Sequence, residues 1–161
     1  MKNLKIKRAK FEDRKFIFNL YNFGIENKFF KNRKKIDFKS HLKWFKSTLK
    51  SQKIYIHICK FYNEPIGYIK YNIFRKNCAY ISIIIYQNKK YRGLSSVYLK
   101  KSISTLFKKL KIKYYYAEVL KSNTVSQKFF LKNKFYAIKI NKKLSKFFNY
   151  KNFLYYYEHK K

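Results

Sequence analysis

The chain has 161 residues, 47% of them hydrophobic, and a formal net charge of +34 from 41 Lys and Arg against 7 Asp and Glu. That length suits one domain, residues 1–161, and the apolar content excludes a chain too polar to bury a core. There is no run of about 18 apolar residues, and no apolar segment follows the basic start MKNLKIKRAKFEDRK; neither a membrane span nor a secretory leader is expected, and the expected location is cytoplasmic.

In chain order, Leu4 and Ile6 alternate with polar residues and predict a strand over 3–9. Glu12 and Asp13 then stand where acids favour a helix N-terminus, and Phe16, Ile17, Leu20 and Tyr21 predict a helix to about Gly24. Residues 25–36 are polar and irregular. Asp37 or Ser40 can cap a second helix, which carries His41, Trp44, Phe45, Thr48 and Leu49 on one face. Ile54–Cys59 and Ile66–Phe74 read as a hairpin around the turn Phe61–Pro65. Asn77 marks the next turn. Ala79–Tyr86 is a continuous apolar run that suits a strand covered on both faces.

Gly93–Leu110 is helical, with Leu99, Ile103, Leu106 and Leu110 as its apolar stripe, and Lys113–Leu120 is a strand. Ser122-Asn123 can cap a helix carrying Val125, Ser126, Phe129 and Phe130. Phe135–Ile140 and Asn152–Tyr157 complete the order β-α-α-β-β-β-α-β-α-β-β. This is a mixed α/β (α+β) fold, with helices on the faces of a mixed sheet.

Cys59 and Cys78 lie in apolar strand runs and form no metal-ligand spacing with His41, His57 or His159; two core thiols and no metal site are expected. The positive charge would attract polyanions. It is nearly all Lys, however, spread along the whole chain beside abundant Asn, Ile, Tyr and Phe, with only 3 Gly and 1 Pro. AT-rich codons produce that joint bias, whereas a nucleic-acid surface more typically gathers Arg on one element.

The segment Gln87-Asn-Lys-Lys-Tyr-Arg-Gly-Leu-Ser-Ser-Val97 joins a buried strand to a helix. Free amides and the helix dipole at such a junction favour an anion, and a pyrophosphate is the natural guest. Arg92 adds a fixed cation, and Ser95 and Ser96 add hydroxyl donors.

Ala79–Leu99, together with Glu118–Phe135, resembles the GNAT superfamily of N-acetyltransferases. Arg92 falls on the first position of that family's Arg/Gln-x-x-Gly-x-Gly/Ala motif, with Ser95 and Val97 at the two small positions. Asn123, Ser126 and Phe135 match the family's following strand-to-helix signature; Phe130 stands where Tyr is usual and Lys134 where Gly is usual. The resemblance implies a mostly antiparallel sheet of about seven strands and acetyl-CoA as co-substrate. It implies CoA contacts from Ile84, Ile85, Tyr86, Arg92, Gly93, Leu94, Ser95, Ser96, Val97, Asn123, Ser126 and Phe130. The front half, His41-Leu-Lys-Trp-Phe45 followed by Ile66-Gly-Tyr-Ile69, looks like the enzymes of the pseudaminic-acid pathway that acetylate 4-amino groups of nucleotide-linked sugars.

Acetyl transfer from a thioester to an amine needs a neutral amine, a polarised carbonyl and a protonated leaving thiolate. In GNAT-like enzymes a backbone N–H of the fourth strand polarises the carbonyl, here near Ile83–Ile85. With Phe130 at the usual Tyr position, the thiolate acid is another tyrosine, such as Tyr86, Tyr91 or Tyr136, or water. Glu118 and His41 are the candidate bases. Trp44 can stack on a sugar or nucleobase face, with His41 and Phe45 beside it on the same helix. A protein or ribosomal amine is the alternative acceptor, and a basic nucleic-acid-binding module without catalysis is the alternative of another class. Aromatic residues near Phe147–Tyr157 would suit an edge-strand contact in a homodimer.

Overall fold

A computed structural model describes residues 3–27, 34–86, 89–91, 93–149 and 151–159. The order of elements is the expected one. It comprises β1 (Leu4–Arg8), α1 (Arg14–Glu26), α2 (Phe38–Lys50), β2 (Ile54–Phe61), β3 (Glu64–Arg75), β4 (Cys78–Ile85), α3 (Leu94–Leu110), β5 (Tyr114–Val119), α4 (Thr124–Lys132), β6 (Tyr136–Ile138) and β7 (Phe153–Glu158). The strands form a seven-stranded sheet in the order β1-β2-β3-β4-β5-β7-β6. β1–β2, β2–β3, β5–β7 and β6–β7 are antiparallel, and β4–β5 is parallel. The chain divides into two compact units, Met1–Asn72 with Ser82–Ser102, and Ile73–Ile81 with Ile103–Lys161.

The first unit is built on the β2–β3 hairpin. Ile56 and Ile58 of β2 and Tyr68 of β3 share one face. Ile17 and Leu20 of α1 and Phe45 of α2 pack on that face, as does Ile84 of β4. The opposite face meets the start of α3. There His57 Nδ1 lies 2.7 Å from Ser102 Oγ, Tyr71 Oη lies 2.6 Å from the same hydroxyl, and Tyr98 Oη donates to the Lys60 carbonyl. These bonds serve polar side chains that would otherwise be costly to bury.

The hairpin differs in detail from the sequence expectation. Its turn is the two-residue Tyr62–Asn63, with φ of 49° and 67°, not the longer Phe61–Pro65. Two successive left-handed residues match the twist of paired strands. Pro65, which reads as a turn residue, lies in β3 opposite Lys60, where the register shifts. An irregular ladder accommodates its missing N–H.

In the second unit β5 runs between β4 and β7. The β4–β5 ladder joins Cys78–Tyr80 to Tyr114–Tyr116. β7 is not an edge strand, as expected for a dimer contact near Phe147–Tyr157: β6 pairs along its outer side, since the chain passes β6 before returning to β5. β6 covers only Tyr136–Ile138 of the expected Phe135–Ile140, because Asn141 starts a hydrogen-bonded turn with Leu144 and Ser145.

Candidate active site

The second helix places the first group of candidate residues. Asp37 caps α2 by accepting from the Ser40 amide at 2.8 Å, which fixes where the helix starts. His41, Trp44 and Phe45 follow within two turns, but they do not share one environment. Phe45 is fully buried in the core of the first unit. Trp44 is 37% exposed. His41 is buried, with its ring 5.7 Å from that of Phe45 and 5.4 Å from that of Trp44.

His41 Nε2 lies 2.9 Å from the Arg14 carbonyl oxygen. A carbonyl only accepts, so Nε2 carries the hydrogen and Nδ1 is the bare lone pair of the neutral ring. Nδ1 is buried and has no hydrogen-bond partner among the described residues. Burial among aromatic rings lowers the imidazole pKa from its ordinary 6.5, against the smaller opposing effect of the Arg14 carbonyl. Below that ordinary value the unfolded chain therefore binds the proton that the folded chain resists, and stability falls with pH. Thermal melts between about pH 7.5 and pH 5.5 should show Tm dropping on acidification, with a shallower drop in His41→Gln. An equal slope in the two proteins would remove His41 as the cause.

His41 lines a cavity of about 300 Å³ in the first unit. α1 contributes Ile17 and Tyr21, α2 contributes Ser40, His41 and Trp44, and β3 contributes Tyr68 and Lys70, with Ile36 beside them. The Lys70 ammonium lies over the Trp44 ring, 5.6 Å from its centroid. Burial pushes the Lys70 pKa down and the Tyr68 pKa up. Sequence reasoning missed Tyr21, Tyr68 and Lys70. The signal was present: Lys70 has the inward parity of Ile66 and Tyr68, so the strand's alternation aims a lysine at the covered face.

The end of β4 is held tightly. The Tyr86 amide donates to the Ile66 carbonyl at 2.8 Å, and the Tyr86 ring packs against Phe23 and Phe16 at 5.3 and 6.3 Å. At Gly67, an added Cβ would lie 2.5 Å from the Ile84 carbonyl oxygen and 2.8 Å from Ile85 Cα. Only glycine lets β3 and the Ile84–Ile85 backbone approach this closely.

Arg92 lies outside the described residues, as do Gln87 and Asn88. Gly93 has φ +82° and an added Cβ would meet no atom of the other described residues within 4 Å, so the backbone conformation, not crowding, calls for glycine there. Leu94, Ser95, Ser96 and Val97 form the first turn of the 17-residue α3 and are half-buried. The amides of Leu94, Ser95 and Ser96 come before the first bond of the helix's own ladder.

In the second unit, the Asn123 side chain accepts from the Ser126 amide at 3.0 Å and caps α4. Asn123→Ala should cost about 1 kcal/mol, read as a lower denaturant midpoint with unchanged slope. Phe130 is buried against Phe135 and Tyr155. Glu118 Oε1 accepts from the Asn149 amide at 3.2 Å and from the Asn152 side chain, tying the segment before β7 to β5. Burial, with the Glu118 charge adding to it, pushes the Tyr80 phenol up to about 12.

A model of the acetyltransferase (GNAT) family matches residues 19–135, most of the chain. The chain belongs to the GNAT family. It is thus an acetyl-CoA-dependent N-acetyltransferase, on the fold that the strand order already displays. No curated protein matches its sequence. Among solved structures it is similar to the N-acetyltransferase PseH of Campylobacter jejuni, at 19% identity and TM-score 0.71 over 98% of this chain and 99% of that one. YncA of Salmonella typhimurium, solved with its cofactor acetyl-CoA, aligns at 16% identity and TM-score 0.72 over 96% and 91% of the two chains. A spermidine N-acetyltransferase of Vibrio cholerae aligns at 13% identity and TM-score 0.73 over 98% and 95%. At these identities the likeness is one of fold, and the fold leaves the acceptor open.

Proposed function

We propose that the chain acetylates a primary amine of a small molecule, a nucleotide-linked amino sugar, by direct attack on acetyl-CoA in a ternary complex. The observation that carries this reading is the cavity joining His41, Trp44 and Lys70. It offers an aromatic face for a sugar or base, and His41 stands in its wall. The His41–Trp44 helix and the Ile66–Ile69 strand, whose sequences resemble the amino-sugar N-acetyltransferases, supply its walls.

The residues present suit CoA. Gly93, with its left-handed backbone, leads into the α3 amides of Leu94–Ser96, a group of donors for the pyrophosphate, with Ser95 and Ser96 hydroxyls beside them. The resemblance adds Arg92 as a further contact. A backbone N–H near Ile83–Ile85 donates to the thioester carbonyl and steadies the negative charge that develops on its oxygen. Gly67 and the Tyr86–Ile66 bond hold that stretch of β4 in place.

We assign the base to His41. Its Nδ1 takes the proton that the acceptor's ammonium loses before the neutral amine attacks, while Nε2–H stays on the Arg14 carbonyl and fixes the ring. Glu118, the other candidate, is tied through Oε1 to Asn149 and Asn152. Tyr86, directly after β4, is the tyrosine we assign to protonate the leaving thiolate in place of the absent phenol at Phe130.

Thiol release from acetyl-CoA, measured across a panel of amino-sugar nucleotides, N-terminal peptides and polyamines, tests the reading. Amino-sugar nucleotides should be the fastest acceptors and spermidine among the slowest. Preference for a peptide N-terminus would replace the acceptor while leaving the chemistry intact.

A further inference from the structure

The acceptor cavity contains a cation without an acid. Lys70 lies on β3 opposite Ile56, on the face that α1 and α2 cover. All seven Asp and Glu residues of the chain are among the described residues, and none lines the cavity. Ion pairs among the described residues lie elsewhere, at Lys7 with Glu12 and Asp13, at Lys35–Glu26 and at Lys113–Glu158. What faces the Lys70 ammonium is the Trp44 ring. A cation–π contact offsets only part of the cost of withdrawing an ammonium from water. Burial lowers the Lys70 pKa and no acid opposes it.

A protein with 41 Lys and Arg has no shortage of surface for another lysine, so one on a covered strand face stands out. An anion arriving with the acceptor would be the missing counter-ion. It would form a charge-assisted bond with a half-buried ammonium, and such bonds are stronger there than at the open surface. A polycationic amine, by contrast, would enter against Lys70 with no carboxylate to receive it. Ser40 in the same wall adds a hydroxyl donor.

We propose that Lys70, seated over Trp44, is the specificity-determining residue that reads a phosphate carried by the acceptor. This rests on the acceptor reading above and deepens it: the substrate is an amine that bears a phosphate, and polyamines are excluded by the same lysine. A single charge is a small part of the +34 field, so a general attraction of anions to the surface would survive its removal.

Trp44 is the single tryptophan of the chain, so its fluorescence reports on this cavity alone. The experiment titrates inorganic phosphate and uridine monophosphate into the protein without acetyl-CoA, following Trp44 emission in wild type, Lys70→Met and Lys70→Arg. The expected result is a saturable change in wild type, at least about tenfold weaker in Lys70→Met and retained in Lys70→Arg. With acetyl-CoA, Lys70→Met should lower kcat/KM for phosphorylated amino sugars by about 10- to 100-fold through KM, a larger loss than for the unphosphorylated amines. Circular dichroism establishes that the variants are folded. Equal responses in wild type and Lys70→Met, or no response to either anion, would overturn the proposal. Because the titration needs no turnover, that failure is distinct from failure of the acetyl-transfer reading.

Discussion

Replacing His41 by glutamine should lower kcat/KM about 10²- to 10⁴-fold, the usual contribution of a positioned general base. Glutamine keeps an N–H donor for the Arg14 carbonyl but offers no basic nitrogen, so the ring's structural bond is replaced and its proton chemistry is not. The pH profile separates the two roles. Burial lowers the His41 pKa below 6.5, so the neutral base persists to lower pH than an exposed imidazole, and the acid limb of kcat/KM lies below that value. The limb should vanish in His41→Gln. Burial raises the pKa of the Tyr68 phenol in the same cavity and keeps it protonated across that range. If His41→Gln retains both rate and limb, the base lies elsewhere, and Glu118 becomes the next residue to replace.

Gly67→Ala is the second large effect, and it arises from the backbone. The new Cβ would sit 2.5 Å from the Ile84 carbonyl oxygen, 2.5 Å from Ile85 Cγ1 and 2.8 Å from Ile85 Cα. The Ile85 side chain can rotate, but the Ile84–Ile85 main chain cannot yield without moving β4 away from β3. Overpacking of this kind costs about 3 kcal/mol. The displaced stretch also holds the N–H assigned to the thioester carbonyl, so kcat should fall by about tenfold or more even where the variant is folded, since an oxyanion donor is worth more than that. Urea unfolding with a lowered midpoint, together with kcat of the folded fraction, checks both halves. Wild-type stability and kcat in Gly67→Ala would show that β4 has slack at this point.

These two residues illustrate what the sequence could and could not disclose. The caps were legible: Asp37 and Asn123 are local signals, and each bonds the amide three residues on. The order of strands and helices was legible for the same reason, because periodicity and turn residues act over short spans. Gly67 was not, since its need for a bare Cα comes from the Ile84–Ile85 backbone on another strand. Glu118 looked free for catalysis because its partners, Asn149 and Asn152, are some thirty residues away. Pro65 read as a turn residue because nothing in the sequence announces the register shift beside it. His41 was identified by residue type, but its bare Nδ1 required knowledge of the Arg14 carbonyl.

The GNAT core, with His41 and Trp44 beside it, leads to a single balance: acetyl lost from CoA appears on an amine. The most direct measurement supplies acetyl-labelled acetyl-CoA with an amino-sugar nucleotide and quantifies free thiol and N-acetylated product in one reaction. One acetylated amine per thiol released, with no thiol released when the amine is omitted, is the expected result. Thiol released without acetylated amine, or no thiol release with any amine, would contradict it.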